Sequence, residues 1–346
     1  MKKYLFISLL TFITIATKAQ NGADQTPYST KSLTNENIKN VQVETSGGSI
    51  SVSGVTSDAR IEMYVWPNNG NNNSLSKDEI QKRLNEDYDI NISVNNNKLV
   101  ATAKQKDRNM NWKKSLSISF KVFVPQNVST DLHTSGGSIS LTNLSGNQNF
   151  TTSGGSLHVD EVSGKITGKT SGGSIHLSNS KNDIDLRTSG GSIEANNCNG
   201  NLTLETSGGS LKLTSLQGII HANTSGGSVN GSDINGELAA HTSGGSVKLT
   251  NLSCSLETST SGGSIDVAIT TLGKYVKINN GGGDIDLQLP QGKGMDLQLS
   301  ARKIKTGTMN NFSGTTEDDN VRGKLNGGGV PVTVDASSGR INLTWN

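Results

Sequence analysis

A five-residue stretch, Thr-Ser-Gly-Gly-Ser, opens at Thr45 and returns unchanged at Thr134, Thr152, Thr170, Thr188, Thr206, Thr224, Thr242 and Thr260. Glycine beside serine is the composition of a loop that cradles phosphate with its backbone N–H groups. That chemistry needs a helix after the glycines and a lysine at the P-loop offset, and neither follows here. Nine copies would also mean nine sites. Serine is too abundant in this chain to single out a nucleophile.

The histidines and carboxylates are more specific. His158 and His176 lie 18 residues apart, Glu194 lies 18 further on, and Asp160 stands two residues from His158. Such a set has the donor types of a divalent metal site such as zinc. The same column continues, however, through Ser140, Lys212, Asn230, Lys248 and Asp266, which reads as a mixed polar face with no supporting outer shell. Asp284, in "NGGGDIDL", occupies the place of a calcium-roll aspartate only once. We therefore assign no catalytic, cofactor-binding or metal residue, and expect no cofactor.

These residues must be held by something periodic. The intervals 152−134, 170−152 and so on to 260−242 are all 18, and a fixed period of this kind marks a repeat architecture. Counting each unit from its threonine, position 6 is always aliphatic: Ile139, Leu157, Ile175, Ile193, Leu211, Val229, Val247, Ile265. Position 8 (Leu141, Val159, Leu177), position 11 (Leu144, Val162, Leu216) and positions 15 and 17 (Ile184/Leu186, Leu202/Leu204) are also mostly apolar. Apolar residues two apart mean strands. Each unit therefore holds two short strands, around positions 5–9 and 14–2. The Gly-Gly pair turns one corner, and positions 10–13, often with glycine at 13, turn the other. The threonine shares the parity of 15 and 17, so it points inward and stacks on its neighbours. The two glycines are expected to supply positive φ and to avoid collision along the stack.

The fold class that follows is all-β: a single-stranded parallel β-helix, or β-solenoid, of about 18 residues per coil, with a small helix-plus-hairpin insertion. Left-handed hexapeptide helices repeat an aliphatic residue every sixth position, unlike this spacing. Calcium-binding rolls repeat glycines and aspartate in both half-coils, and here only one half carries Gly-Gly. Glycan-cleaving β-helices need long loops and grouped carboxylates, and ice-binding solenoids need an outward threonine array. Neither feature is present.

The flanks complete the organisation. Lys2 and Lys3, the apolar run Leu5 to Ala16, and small residues at Thr17 and Ala19 form a signal peptide over residues 1–19. Export is therefore expected (periplasmic, cell-surface or secreted), with no integral membrane span after cleavage. Residues 20–34 read as a linker, and 35–346 as the solenoid domain. Within it, Ile50, Val52, Val55, Ala59 and Ile61 match positions 6, 8, 11, 15 and 17 of a first coil. Residues 66–125 are an insertion that packs its apolar side on the solenoid. It carries a helix begun by Ser76 and Glu79 as a capping box and a hairpin across "NNNK". Regular coils span 126–280. Residues 281–346 hold irregular coils and a C-terminal cap, with a polar loop at 305–320 and degenerate corners at "NGGGVPVTV" and "ASSGRINLTW". Cys198 and Cys254 fall three coils apart, too far for a disulfide, and are expected to be separate buried thiols.

The recurring "SGGSI" corners, the strand running into Val124-Pro125 and the terminal "ASSGRINL" resemble the bacterial putative-adhesin family of β-strand-repeat proteins, a domain-of-unknown-function group of exported and envelope proteins. The resemblance spans roughly residues 35–346 and implies a single-domain parallel β-helix. It carries over no catalytic residue. The helix-bearing insertion and the regularity of the copies depart from the family pattern.

Net charge is +2 with only 17% charged residues, which argues against nucleic acid as a partner. The function expected is non-enzymatic: an exported solenoid presenting an extended face for adhesion or for binding a ligand or surface, such as a glycan. The alternative is a structural or signalling envelope component that binds an endogenous protein. A glycan-active enzyme is the third reading.

Overall fold

A computed structural model describes residues 26–68, 75–107 and 115–346. Residues 1–19, read from the sequence as a signal peptide, lie outside the described residues. The described chain is a parallel β-solenoid with one helix, Lys77–Asp87.

The 18-residue register is seen directly. Leu157–Asp160 pairs in parallel with Ile139–Thr142 and with Ile175–Ser178, residue on equivalent residue. Lys181–Thr188 pairs the same way with Ser163–Thr170 and with the second half of Ile193–Thr206. Parallel strands stacked at about 4.8 Å bury one side of every strand, so positions 6, 8, 11, 15 and 17 form one continuous core. Leu157, Ile175, Ile193 and Leu211 are all fully buried.

Each segment of the Thr-Ser-Gly-Gly-Ser corner has a separate task. Thr152, Thr170, Thr188 and Thr206 are buried, as their parity predicts. The Thr188 hydroxyl donates to the Gly173 carbonyl of the preceding coil at 2.8 Å and accepts from the Gly191 N–H of its own coil at 3.3 Å. The same pair of bonds recurs at Thr152, Thr170, Thr206, Thr224, Thr242 and Thr260. The serine at position 5 takes the next coil's amide: Ser210 N–H bonds Ser192 Oγ at 3.1 Å, and Ser228 N–H bonds Ser210 Oγ at 3.1 Å.

The glycines differ from expectation. Neither takes positive φ. A Cβ on the second one would lie 2.0 Å from the carbonyl oxygen of the coil before, as at Gly173 over Gly155. A Cβ on the first would meet nothing nearer than 3.6 Å at Gly172. Close approach along the axis, not backbone handedness, therefore selects glycine, and only at the second site. Positive φ belongs to the opposite corner. There, position 10 is left-handed in the seven coils opened by Thr134 to Thr242 (Asn143, Glu161, Asn179, Asn197, Ser215, Asp233, Asn251), and glycine at position 13 has φ between 106° and 130°. The second strand accordingly begins near position 12.

The ends depart further from the sequence reading. Ala59 and Ile61 do not continue the first coil. The chain reverses through Asp58, at φ 57°, and Arg60–Pro67 runs antiparallel to Leu116–Val124. Apolar alternation is identical in parallel and antiparallel strands, so it carried no direction. The insertion does not pack on the solenoid's side either. Lys98–Gln105 pairs in parallel with Asn40–Thr45, and Leu116–Val124 with Ile50–Gly54, so these two strands form an extra coil before the first. Tyr88–Asn95 closes it as an antiparallel edge through a two-residue turn at Asn96 and Asn97, both at positive φ. Ser76 Oγ caps the helix by accepting from Glu79 N–H at 3.2 Å, but the Glu79 carboxylate pairs with Arg83 instead of completing the box. The segment read as a linker contains a strand, Ser29–Ser32, and a fully buried Leu33.

At the other end, the last strand, Val330–Trp345, is not terminal in space. It lies between the coil formed by Val276–Asn280 and Ile285–Leu289 and the strand Met295–Thr306. Asn320–Leu325 and Phe312–Thr316 then add antiparallel edges. The region read as a polar loop thus includes a strand. "ASSGR" is a corner, stacked on "NGGGD" with Gly339 against the Gly283 carbonyl. "NGGGV" is instead a reversal, with Gly327 and Gly328 at φ 84° and 85°. Cys198 and Cys254 are free and buried, one beside Leu216 and the other in the glycine column after Gly236.

Two substitution series test the corner. Gly172→Ala should leave denaturant stability within about 1 kcal/mol, whereas Gly173→Ala should lose roughly 1–3 kcal/mol or more to backbone overlap. Thr188→Ser, which keeps the hydroxyl, should be milder than Thr188→Val. The latter strands a buried carbonyl and an amide and should cost about 1–3 kcal/mol. Urea unfolding of the four variants measures both differences, and equal midpoints within either pair would contradict the assignment.

Candidate binding face

Outward side chains stack into columns at the same spacing as the coils. On one face, position 7 runs Ser140, His158, His176, Glu194, Lys212, Asn230, Lys248 and Asp266 in direct register. The His158 and His176 rings are parallel, 5.1 Å between centroids and 5° between planes. His176 Nδ1 is 3.7 Å from a Glu194 oxygen, and Lys212 Nζ is 2.7 Å from the other. Asp160 does not turn toward His158, because it accepts from Ser178 Oγ at 2.6 Å and Asn179 Nδ2 at 2.8 Å. The structure thus brings the two histidines and Glu194 into one line and leaves Asp160 out of it. Among the described residues no group of three or more His, Cys, Asp and Glu is arranged around a common metal position.

Burial of its ring face, and secondarily the neighbouring His176, hold His158 below the usual histidine value. The side chain is exposed at its edge, but the stacked partner covers one face, which accounts for a desolvation effect on a surface residue. Lys212 and His176 hold the Glu194 carboxyl below its usual range. Asp284 is likewise held low by Arg340, whose backbone N–H donates at 2.9 Å and whose guanidinium donates at 3.0 and 3.3 Å. That carboxylate does the work of the position-5 serine, taking the next coil's amide.

On the opposite face, positions 16 and 18 form a second pair of columns. Position 18 runs Glu44, His133, Thr151, Lys169, Arg187, Glu205, Asn223 and His241. Arg187 is a node: it donates to Asp185 at 2.8 Å and also pairs with Glu205. Lys277 pairs with Glu257 at 2.9 Å. Where position 18 meets the corner, the surface is concave. An open trough of about 460 Å³ is lined by Arg187, Glu205, Thr206, Ser207, Asn223 and Ser225. A second, of about 140 Å³, lies on the same edge between Glu44, Lys104, His133, Ser135 and Thr151. The exposed serine at position 2 lines both. Sequence reading assigned this serine no task, because exposure and concavity leave no trace in apolar periodicity.

The buried thiols are unsuited to chemistry. Burial pushes Cys198 upward and Cys254 up to about 12, so neither is a thiolate near neutral pH.

The histidine stack has a pH signature. A folded-state value below the usual histidine value near 6.5 means that the unfolded chain takes up the proton first. The contribution is intact above about pH 6.5 and is lost as pH falls through the lower folded value. His158→Ser should therefore match the parent in urea unfolding near pH ~8 and exceed it near pH ~5. A variant less stable than the parent at the lower pH would contradict the shift.

No described helix is long and apolar enough to cross a membrane. No curated protein matches the chain. Among solved structures, a putative cell adhesion protein from Clostridium sporogenes aligns at 11% identity over 92% of this chain and 98% of that chain, with a TM-score of 0.19. A putative adhesin from Bacteroides fragilis aligns at 11% identity over 92% and 96%, with a TM-score of 0.23. Superposition this poor supports no inference about function. The family model for Toastrack DUF4097 matches residues 179–344, which run from the coil opened by Thr170 to the last strand. Over residues 179–344, just under half of its length, this β-solenoid is thus similar to the Toastrack DUF4097 family.

Proposed function

We propose that the chain is an exported, non-enzymatic solenoid that binds an extended ligand or surface along the edge carrying positions 18, 1 and 2. The observation behind this reading is the pair of troughs on that single edge, both lined by position-18 side chains and position-2 serines. The backbone there is fixed from coil to coil by the threonine and serine bonds, so the side chains stand at a set repeat. A preorganised, repeating row loses little freedom on binding an extended partner. The lining is hydroxyl, amide and paired charge. That chemistry suits a polar polymer or a polar surface and not an apolar groove ligand. A single solenoid domain that reaches residue 346 and includes the insertion at 66–125, and export through residues 1–19, belong to the same proposal.

The mature chain would be tested against glycans, matrix proteins and envelopes of the producing cell. Ser207→Trp with Ser225→Trp fills the larger trough, while Asn230→Trp places the same bulk on the position-7 face. Binding to foreign surfaces that falls about tenfold or more with the first pair only, equivalent to roughly 1.4 kcal/mol, is the expected result. Equal loss on both faces, or no binding to any surface, would overturn the reading. Capture of one endogenous envelope protein would assign the chain to an envelope assembly instead.

A further inference from the structure

The C-terminal end carries a second kind of recess, unrelated to the columns. A cleft of about 220 Å³ is lined by Gln291, Gly292, Thr308, Met309, Asn310, Leu325, Asn326 and Trp345. Its walls are three chain reversals pinned by backbone bonds. Gln291 N–H donates to Asn346 O at 3.2 Å, Gly307 N–H to Leu343 O at 2.9 Å, and Asn326 N–H to Asn311 O at 3.1 Å. The Asn326 side chain is committed to the Lys293 carbonyl at 3.1 Å. The recess is therefore formed by the fold and not by mobile side chains.

Three features of the lining narrow its chemistry. No charged side chain lines it, so neither an anion nor a cation is the natural occupant. Its apolar part is one indole with Met309 and Leu325, and its polar part is Gln291, Thr308 and Asn310, whose side chains make no hydrogen bond to the rest of the described protein. Finally, Trp345 Nε1 is buried without an acceptor among the described residues. Buried tryptophan N–H groups normally have a partner, and an unmet one costs about 1–3 kcal/mol. Gly307 lies against that edge of the ring so closely that a Cβ would stand 2.8 Å from Cδ1 and 3.0 Å from Nε1. Gly307 therefore covers the N–H edge of the indole.

We propose that this cleft is a subsite for a single neutral sugar ring. A pyranose has an apolar C–H face to lay on an indole, and hydroxyls that both donate and accept, matching the amide groups of Gln291 and Asn310 and the Thr308 hydroxyl. The volume is below the roughly 300–1,000 Å³ of drug-sized ligand sites, which fits one ring and not an oligomer. The inference is independent of the trough reading, since it concerns the end of the stack.

The test is a titration of the ¹⁵N-labelled full chain with methyl β-glucoside, methyl α-mannoside and N-acetylglucosamine, following the indole N–H resonances. Trp345→Phe assigns the signal. Cyclohexanol serves as an apolar ring of similar size. The expected result is a saturable shift of the Trp345 signal with at least one sugar, in roughly the millimolar range. Gln291→Ala or Asn310→Ala should weaken it about fivefold each with unchanged thermal unfolding. The proposal fails if no sugar moves that resonance, if cyclohexanol moves it as far, or if both alanine variants bind like the parent. Trough binding lost in Ser207→Trp with Ser225→Trp while this shift survives would separate the two sites.

Discussion

The corner threonine is the constraint from which the rest follows. A parallel stack keeps its backbone bonded along the strands, but a tight corner turns some amides and carbonyls out of the ladder. The position-1 hydroxyl closes that gap in both directions, donating to the glycine carbonyl of the coil before and accepting from the glycine amide of its own. It can do so only if the corners overlie closely, and close overlay leaves no room for a Cβ on the second glycine. Threonine and glycine are thus two halves of one requirement. Asn280 demonstrates it by exception: its amide donates to the Gly263 carbonyl at 2.9 Å while its oxygen accepts from Gly283 N–H at 3.0 Å. A different side chain performs the same two bonds where the period lengthens from 18 to 20.

A solenoid built this way has two open edges, and unpaired edges invite further pairing. Both ends solve this with strands of opposite direction. Tyr88–Asn95 and Arg60–Pro67 cover the N-terminal side, and Asn320–Leu325 with Phe312–Thr316 cover the C-terminal side. In each case a later or earlier part of the chain is slotted one coil inward of its sequence order. The hairpin insertion lies outside the first coil, and the final strand lies inside Met295–Thr306. Both termini of the solenoid are therefore locked between neighbours and not left to fray.

That division explains what could be read without coordinates. The coil length, the inward parity of threonine, the separation of the two cysteines and the helix all follow from local alternation and spacing, and all are present in the structure. What alternation cannot express is direction. Ile61 is buried as its pattern requires, yet it sits in an antiparallel strand against Val122. Nor does composition distinguish a glycine that needs positive φ from one that needs only proximity: Gly164 has φ 106° and also lies close under the coil before, whereas Gly173 has the close approach alone. The candidate face was less legible still. The histidine column was visible as an interval of 18, but Asp160 was drawn into it by sequence distance alone, and its own hydrogen bonds to Ser178 and Asn179 take it away. The troughs and the terminal cleft depend on curvature at corners and on contacts between distant segments, which no short window contains.

The fixed register also shapes what the surface can offer. Because equivalent positions stand about one strand spacing apart, opposite charges in one column pair along the axis, as Lys212 does with Glu194, Arg187 with Glu205 and Lys277 with Glu257. Exposed pairs of this kind contribute little stability individually, but they consume charge that would otherwise create a directional field. Between these pairs the columns present hydroxyls, amides and further exposed charges such as Lys165 and Lys169. Such a surface can make many weak, repeated polar contacts. The ends of the stack escape this rule because antiparallel caps break the register, and it is there, at Trp345, that an aromatic ring and an unmet donor occur together. Long-range repetition and local specificity are therefore segregated by the same geometric cause: the columns can offer only what repeats, and the caps can hold what occurs once.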